Sequence, residues 1–509
     1  MKNHFNITDL FFEKAALHPT KIAIIDRNQP ITFGDFAEEI EDTIAYFKSK
    51  GIRKGDRVML FVPMSIDLYR IVLALFKMGA TAVFLDEWVS MKRLELCCKI
   101  AECKAFIGIF KARVLALFSK ELRKVPIKLG KKYKKITLLK SLVTQTTASD
   151  TALITFTTGS TGTPKAAKRT HGFLNEQFKA LIEKIDPQPD DIDMPVLPIV
   201  LLLNLGAGST SVITDFKASK PNKMKPAAIA KQINRHQVNR MVASPFFLKR
   251  LSEYLIQEKQ SIKSIKKVFT GGAPVFPKEA ELYDRAFPDS QIEVVYGSTE
   301  AEPISSIRVK RLIDNKANLL SKGLNVGMPY RKTKVKIIGI TDEVIVCNNE
   351  EELNSLKVQA GQIGEIIVSG SHVLREYFNN KKALKRNKIF FENDCWHRTG
   401  DSGYLDKNGE LYLTGRCNTL LTQDGKIVAP FIYESYLQAI KGVEIGTIVA
   451  HRNGILAVVE LNDNQQKKVI EAQIDSMNID LIGVNFLRKI PRDPRHNSKI
   501  DYERLKKLL

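Results

Sequence analysis

The chain has 509 residues, 44% of them hydrophobic, which is enough for several cores at about 150 residues per domain and excludes a disulfide-stapled mini-domain. Charged residues at 26% and aromatics at 8% exclude collagen, coiled coil and wholesale disorder. With 78 Lys and Arg against 56 Asp and Glu the net charge is +22, which favours anionic substrates or anionic surfaces and says nothing about fold.

From the start of the chain, Met1-Lys2-Asn3-His4 leads to Asp9 and Glu13 before any apolar run long enough for a secretory signal, so secretion is not expected. Ile22 to Ile25 reads as a strand. Phe36, Ile40, Ile44 and Phe47 follow at helical spacing, then a strand at Arg57 to Val62, a helix at about Ser65 to Met78 and a strand at Ala80 to Leu85. This alternation is the βαβ pattern of a largely parallel sheet covered by helices. Apolar runs leading toward glycine recur at Ala152 to Phe156, Val268 to Phe269 and Ile292 to Val295, and in open α/β sheets such strand ends hold ligands. Beyond about Arg331 the alternating runs Lys334 to Ile340, Gly364 to Ser369 and Glu410 to Thr414 predict a more antiparallel region. After Arg416 the strands Gly446 to Ala450 and Gly454 to Leu461 predict a small separate α+β domain. The most apolar stretch, Val196 to Leu205, is far shorter than the ~20 residues that cross a bilayer, so no transmembrane helix is expected.

Six cysteines without a C-x-x-C pair or shared histidine spacing read as reduced thiols of a cytoplasmic protein, with no zinc site. From Lys104 to Lys140 twelve basic residues face Glu121 alone, with Val114, Leu115, Leu117 and Phe118 interspersed. A solvated basic face is the plain reading; attraction to an acidic membrane, giving a membrane-peripheral protein, or to an acyl carrier protein are the others. Nucleic acid is not expected, because no RNP aromatics, helix-turn-helix or zinc finger accompanies the charge.

The segment carrying most chemistry is Thr155-Phe156-Thr157-Thr158-Gly159-Ser160-Thr161-Gly162-Thr163-Pro164-Lys165, after an apolar strand. Hydroxyls, two glycines and a lysine supply close backbone N–H groups, side-chain donors and a cation, which is what a polyphosphate requires. It is not a Walker A loop, since Pro164 precedes the lysine. Gly271-Gly272-Ala273-Pro274, Tyr296-Gly297-Ser298-Thr299-Glu300, Thr399-Gly400-Asp401, Gly415-Arg416 and Lys499 follow in order.

Together these motifs resemble the adenylate-forming superfamily: acyl-CoA synthetases, adenylation domains of peptide synthetases and luciferases. The resemblance implies a large N-terminal adenylation domain, 1–416, built of βαβ-type sheets with a β-rich subregion, and a small mobile C-terminal α+β domain, 417–509. It also implies an ATP- and Mg²⁺-dependent ligase. The loop Thr157, Thr158, Gly159, Ser160, Thr161, Gly162 and Lys165 would hold phosphates, and Gly271, Gly272 and Ala273, with Tyr296 and Gly297, would lie beside adenine. Thr299 would donate to the α-phosphate, Glu300 would bind magnesium, and Asp401 would accept from the ribose hydroxyls near Arg416. Lys499 would bridge carboxylate and α-phosphate in the transition state.

The chain departs from the pattern at Ala166, which stands where the loop motif has Gly, and at Asn418, where the hinge residue is usually Asp or Lys. Leu421-Thr422-Gln423-Asp424-Gly425-Lys426 lacks the Ser-Gly or Arg-Gly pair that lines the thiol tunnel of coenzyme A ligases. Asp193-Met194-Pro195-Val196-Leu197-Pro198, Tyr377-Phe378-Asn379-Asn380 with Lys385-Arg386-Asn387-Lys388, and Arg495-His496-Asn497-Ser498-Lys499 are similar to the β-lactone synthetases of bacterial long-chain olefin biosynthesis. That resemblance implies a fatty or 3-hydroxy fatty acid substrate. The adenylate would close on its own 3-hydroxyl or pass to coenzyme A. Pro198 to Leu205 reads either as an aliphatic acyl pocket or as plain core, and His171, His236 and His397 have no assigned role. The opposing expectation is a non-catalytic acyl-binding protein recruited to an acidic surface.

Overall fold

The computed structural model describes residues 4–85, 91–136, 144–157, 164–217, 220–314, 322–462, 467–477, 479–493 and 499–509. Helices form where a polar cap meets an amphipathic run. Thr32, whose side chain accepts from the Asp35 N–H, starts Phe33–Ser49, which buries Phe36, Ile40, Ile44 and Phe47 on one face. Ser65 caps Ile66–Lys77 and Thr170 caps His171–Ile185 in the same way.

Among the described residues the strands form two major sheets in the N-terminal part. The smaller runs Ile127–Leu129, Ala105–Gly108, Arg57–Phe61, Thr81–Phe84, Thr151–Thr157, Lys165–Thr170 and is parallel except for its last pair. In the larger, Ile22–Asp26, Thr210–Ile213, Ile192–Pro195, Arg240–Ala243, Lys267–Gly271 and Gln291–Ser298 lie side by side and parallel.

The antiparallel region starts earlier than Arg331. Gln291–Ser298 already turns back into Ala301–Arg308. Only Thr299 and Glu300 connect the two, far too few residues for the crossover that a parallel partner requires. Leu324–Pro329, Leu411–Arg416, Asp394–Leu405, Gly364–Ser369 and Lys334–Ile338 extend the same sheet antiparallel, so the β-rich part continues the large sheet.

The small C-terminal part has its own three-stranded sheet, Val443–His451, Gly454–Leu461 and Leu481–Leu487, packed on Pro430–Ala439 and Lys467–Asp475 around Leu437, Ile448, Val459 and Ile470. It meets the large part through Lys249 Nζ on Glu444 Oε1 at 2.8 Å, Lys278 Nζ on the Val443 carbonyl at 2.8 Å, and the Phe276 and Phe431 rings at 5.8 Å. Val196 to Leu205 lies mainly in the short helix Pro198–Ala207, and no helix of the described residues is long and apolar enough to cross a membrane.

Candidate active site

Segment 373–378 joins the two large sheets. Tyr377 bridges Ala167, and the Phe378 N–H donates to the Ala166 carbonyl at 2.8 Å. On the other side Val373 bridges Ala301 and the Leu374 N–H donates to the Glu300 carbonyl at 2.7 Å. Arg169 adds a hydrogen bond to the Thr299 carbonyl at 3.0 Å. The hairpin that ends in Lys165 is thereby held against the two-residue turn that carries Thr299 and Glu300.

Asp401 is gripped from two directions. Tyr296 Oη donates to Oδ2 at 2.7 Å, and Arg416, its cross-strand partner, donates to Oδ1 at 2.6 Å. Burial and the neighbouring carboxylate push the Tyr296 phenol well above its ordinary range; Asp401 raises Arg416 likewise. The carboxylate is thus fixed in place, yet two of its roughly four acceptor positions remain for a vicinal diol. The strand Lys267–Gly271 ends beside Tyr296, with Gly271 paired to Val295. A Cβ at Gly271 would sit 2.4 Å from the Val295 carbonyl oxygen, so only glycine lets the Gly272-Ala273-Pro274 segment leave the strand this close. Gly400 has φ +69°, and a Cβ there would also crowd the Arg416 guanidinium at 3.0 Å.

Glu300 is buried and accepts from the Tyr377 hydroxyl at 3.0 Å. Tyr377 is flanked by two ammonium groups, Lys165 Nζ at 5.8 Å and Lys388 Nζ at 5.9 Å from its ring centre. Lys165 also donates to Asn387 Oδ1 at 3.0 Å, and Lys388 donates to the Leu374 carbonyl. Lys388 is only 3% exposed, and burial lowers it to about 8. Burial lowers Lys165 too, with Glu300 opposing the shift. His397, whose Nδ1 lies 3.2 Å from the Asn387 carbonyl, is held neutral by burial and by the nearby lysines. Two cations and one carboxylate thus lie around Tyr377, a composition suited to polyphosphate with a hard divalent ion; a single hydroxyl leaves Glu300 most of its acceptor capacity for such an ion.

Of the other residues singled out in the sequence, Thr158, Gly159, Ser160, Thr161 and Gly162 lie outside the described residues. The strand backbone of Thr157 pairs with Lys165. Lys499 is exposed; its N–H donates to Asp493 Oδ1 at 3.0 Å and its carbonyl accepts from the Asp493 N–H at 2.8 Å. Residues 421–428 form a tight β-hairpin, Leu421–Gln423 against Lys426–Val428, turned at Asp424 and Gly425, both at positive φ. His171 is buried against the Phe76 ring and accepts at Nδ1 from the Ile7 N–H, and burial lowers it to about 4, as fits a structural residue. Sequence reasoning missed Lys388, Tyr377 and His397 as members of this cluster, because strand pairing brings them there: Tyr377 bridges Ala167, and Lys388 and His397 are cross-strand partners. A lysine at the start of the otherwise apolar strand Lys388–Phe391 was the available signal, masked by the polar run Lys385-Arg386-Asn387 before it.

Residues 11–378 match the model of the AMP-binding enzyme family. The chain is 29% identical over 497 residues to the olefin β-lactone synthetase of Xanthomonas campestris, covering 89% of this chain and 86% of that one. Among solved structures it is similar to the amide bond synthetase of Marinactinospora thermotolerans, with a TM-score of 0.82, 18% identity and coverage of 99% and 100% of the two chains. It is also similar to the O-succinylbenzoate coenzyme A synthetase of Bacillus subtilis in complex with ATP and magnesium, with a TM-score of 0.78, 21% identity and coverage of 98% and 99%. The protein therefore belongs to the AMP-binding enzymes of the adenylate-forming superfamily and is an AMP-forming ligase that adenylates a carboxylic acid at the expense of ATP.

Proposed function

We propose that the acid is a long-chain 3-hydroxy fatty acid and that its own hydroxyl resolves the acyl-adenylate as a β-lactone. The observation that carries this reading is the likeness to an olefin β-lactone synthetase over most of both chains. Two features support it. Val200 and Leu203 pack with Val242 and Phe269, and half-buried Leu197, Ile199, Phe178 and Val295 extend this apolar cluster to the strand ends beside Gly271 and Tyr296. An alkyl chain would gain about 0.8 kcal/mol per CH₂ buried there. The second feature is the tight hairpin 421–428, which lacks the pair that lines a thiol tunnel.

In the first step a carboxylate oxygen attacks the α-phosphorus and the bond to pyrophosphate breaks. Asp401 holds the ribose, while Tyr296, Gly271, Gly272, Ala273 and Gly297 surround the adenine. Thr299 donates to the α-phosphate. The loop from Thr157 through Gly162 and Lys165 binds the β- and γ-phosphates, and Lys499 bridges carboxylate and phosphate in the transition state. Magnesium, which Glu300 would hold, would offset phosphate charge when bound. In the second step the 3-hydroxyl oxygen attacks the acyl carbon, AMP leaves with the bonding pair, and the hydroxyl proton passes to solvent. Intramolecular attack carries a high effective molarity, so no separate acceptor is needed. The chain divides at Arg416 into 1–416 and 417–509, and the small unit turns about Cys417 and Asn418 between steps.

Incubation of a 3-hydroxy fatty acid with ATP and magnesium, without coenzyme A, tests this reading. A β-lactone, detected directly or as its alkene after heating, is expected. Robust acyl-CoA formation from ordinary fatty acids, with no lactone from hydroxy acids, would overturn it. No carboxylate-dependent exchange of pyrophosphate into ATP across medium- to long-chain acids would place the protein among non-catalytic binders.

A further inference from the structure

The helix Phe110–Phe118 is amphipathic the wrong way round. Its inward face is two alanines, Ala112 and Ala116, both buried. Its large apolar side chains point to solvent: Phe110 is 72% exposed, Leu117 59% and Phe118 75%, with Val114 exposed between them. Positions 110, 114, 117 and 118 have the spacing of one helical face, so the four form a continuous stripe. Lys111 and Arg113 flank the stripe on its two sides, both exposed, and Arg113 lies 5.9 Å from the Phe110 ring centre. Immediately downstream Lys120, Arg123, Lys124 and Lys128 are exposed as well.

A folded chain does not gain stability by setting two phenylalanines and a leucine in water, and a contiguous exposed stripe of this kind marks an interaction surface. We propose that this face is a peripheral membrane-docking surface, in which Phe110, Val114, Leu117 and Phe118 enter the interfacial region of an anionic bilayer while the surrounding Lys and Arg side chains contact lipid phosphates. Charge decides among the candidate occupants. A second copy docking the same face would bring Lys111, Arg113, Lys120 and Arg123 against themselves. An acidic carrier protein would satisfy the cations but leaves four large apolar side chains on one stripe without an assigned partner. An anionic bilayer accommodates both, the apolar tips in the acyl boundary and the cations at the phosphates. The inference is independent of the substrate assignment, although an apolar acid and its product would be drawn from and returned to such a surface.

Flotation of the full-length protein with vesicles of phosphatidylglycerol and phosphatidylcholine, and with phosphatidylcholine alone, tests it. Wild type should float with the anionic vesicles, several-fold less at high salt, and stay with the soluble fraction on phosphatidylcholine. The variant Phe110→Ser/Leu117→Ser/Phe118→Ser should lose at least tenfold in vesicle affinity, as should Lys111→Glu/Arg113→Glu. These residues lie outside the nucleotide site, so pyrophosphate exchange and the melting temperature should stay at wild-type values and exclude misfolding as the cause. Vesicle binding unaffected by either variant overturns the proposal. So does absence of wild-type binding to anionic vesicles, a dimer that the triple variant dissociates, or saturable binding of an acyl carrier protein with vesicles silent.

Discussion

Lys388→Met removes a buried cation while nearly keeping side-chain length, and it should separate stability from activity. The ammonium is lowered from its ordinary 10.5 to about 8 by burial. At 1.36 kcal/mol per unit that shift means the charged form costs about 3 kcal/mol at neutral pH. For the sign: with the folded-state value below the unfolded one, the native chain binds fewer protons between pH 8 and 10.5, so wild-type stability rises with pH across that window. Methionine abolishes the charge cost but leaves the Leu374 carbonyl without its donor, a loss of about 1–3 kcal/mol. The variant should therefore be as stable as wild type at pH 7, or more stable by about 1 kcal/mol. It should fall behind as pH approaches 10.5. Activity should move the other way. One charge acting over about 8 Å at an effective dielectric of about 20 is worth about 2 kcal/mol, so if Lys388 acts on the phosphates over such a range, pyrophosphate exchange should fall by about thirty-fold. Thermal melting from pH 7 to 10.5 and exchange kinetics on the same preparations read both. A variant that is less stable by several kcal/mol at pH 7, with the wild-type pH slope and unaltered exchange, would refute the reasoning.

The alternation of short apolar strands with amphipathic helices was legible up to Leu85, because local periodicity and caps such as Ser65 carry that information. The motifs that carry Gly271, Tyr296, Glu300, Asp401 and Arg416 have local signatures in the sequence, Gly271 and Arg416 at strand ends and Glu300 in a two-residue turn, whereas Asp401 lies within the strand Asp394–Leu405. What the chain does not show locally is pairing across long separations. Asp401 and Arg416 are cross-strand partners, and Tyr296 reaches Asp401 from 105 positions away. Lys388 looks like the last of four polar residues in Lys385-Arg386-Asn387-Lys388, yet the helix Lys381–Asn387 ends at Asn387 and the next strand carries Lys388 inward to lie beside Tyr377. Composition likewise placed the basic run on the surface, but only the structure, with Ala112 and Ala116 buried and the leucines and phenylalanines exposed, shows which apolar side chains face out.

Lys499→Ala should lower the rate of adenylate formation by orders of magnitude with ATP affinity little changed, because its contact belongs to the transition state. Asp401→Ala should weaken ATP binding itself, and titration calorimetry beside single-turnover kinetics distinguishes the two; a wild-type rate for Lys499→Ala removes that residue from the mechanism. Limited proteolysis between Arg416 and Lys426 should change when an acyl-adenylate analogue is bound, and cleavage indifferent to the analogue argues against a moving hinge. The last prediction concerns Glu434, fully buried in the C-terminal unit, where its Oε1 accepts from Thr447 at 2.8 Å and from Tyr502. Burial raises it to about 7, and the two hydroxyls only partly oppose the shift. The folded-state value lies above the unfolded one of 4.5, so the stabilisation is full below pH 4.5 and is lost as pH rises through 7, about 3 kcal/mol in all. Glu434→Gln keeps the shape and cannot ionise, so above pH 7 it should protect the backbone amides of 430–451 from hydrogen exchange more strongly than wild type. Between pH 4.5 and 7, after correction for intrinsic exchange, the wild-type protection should decline while that of the glutamine variant stays level; equal slopes would mean that Glu434 is already ionised in the folded chain.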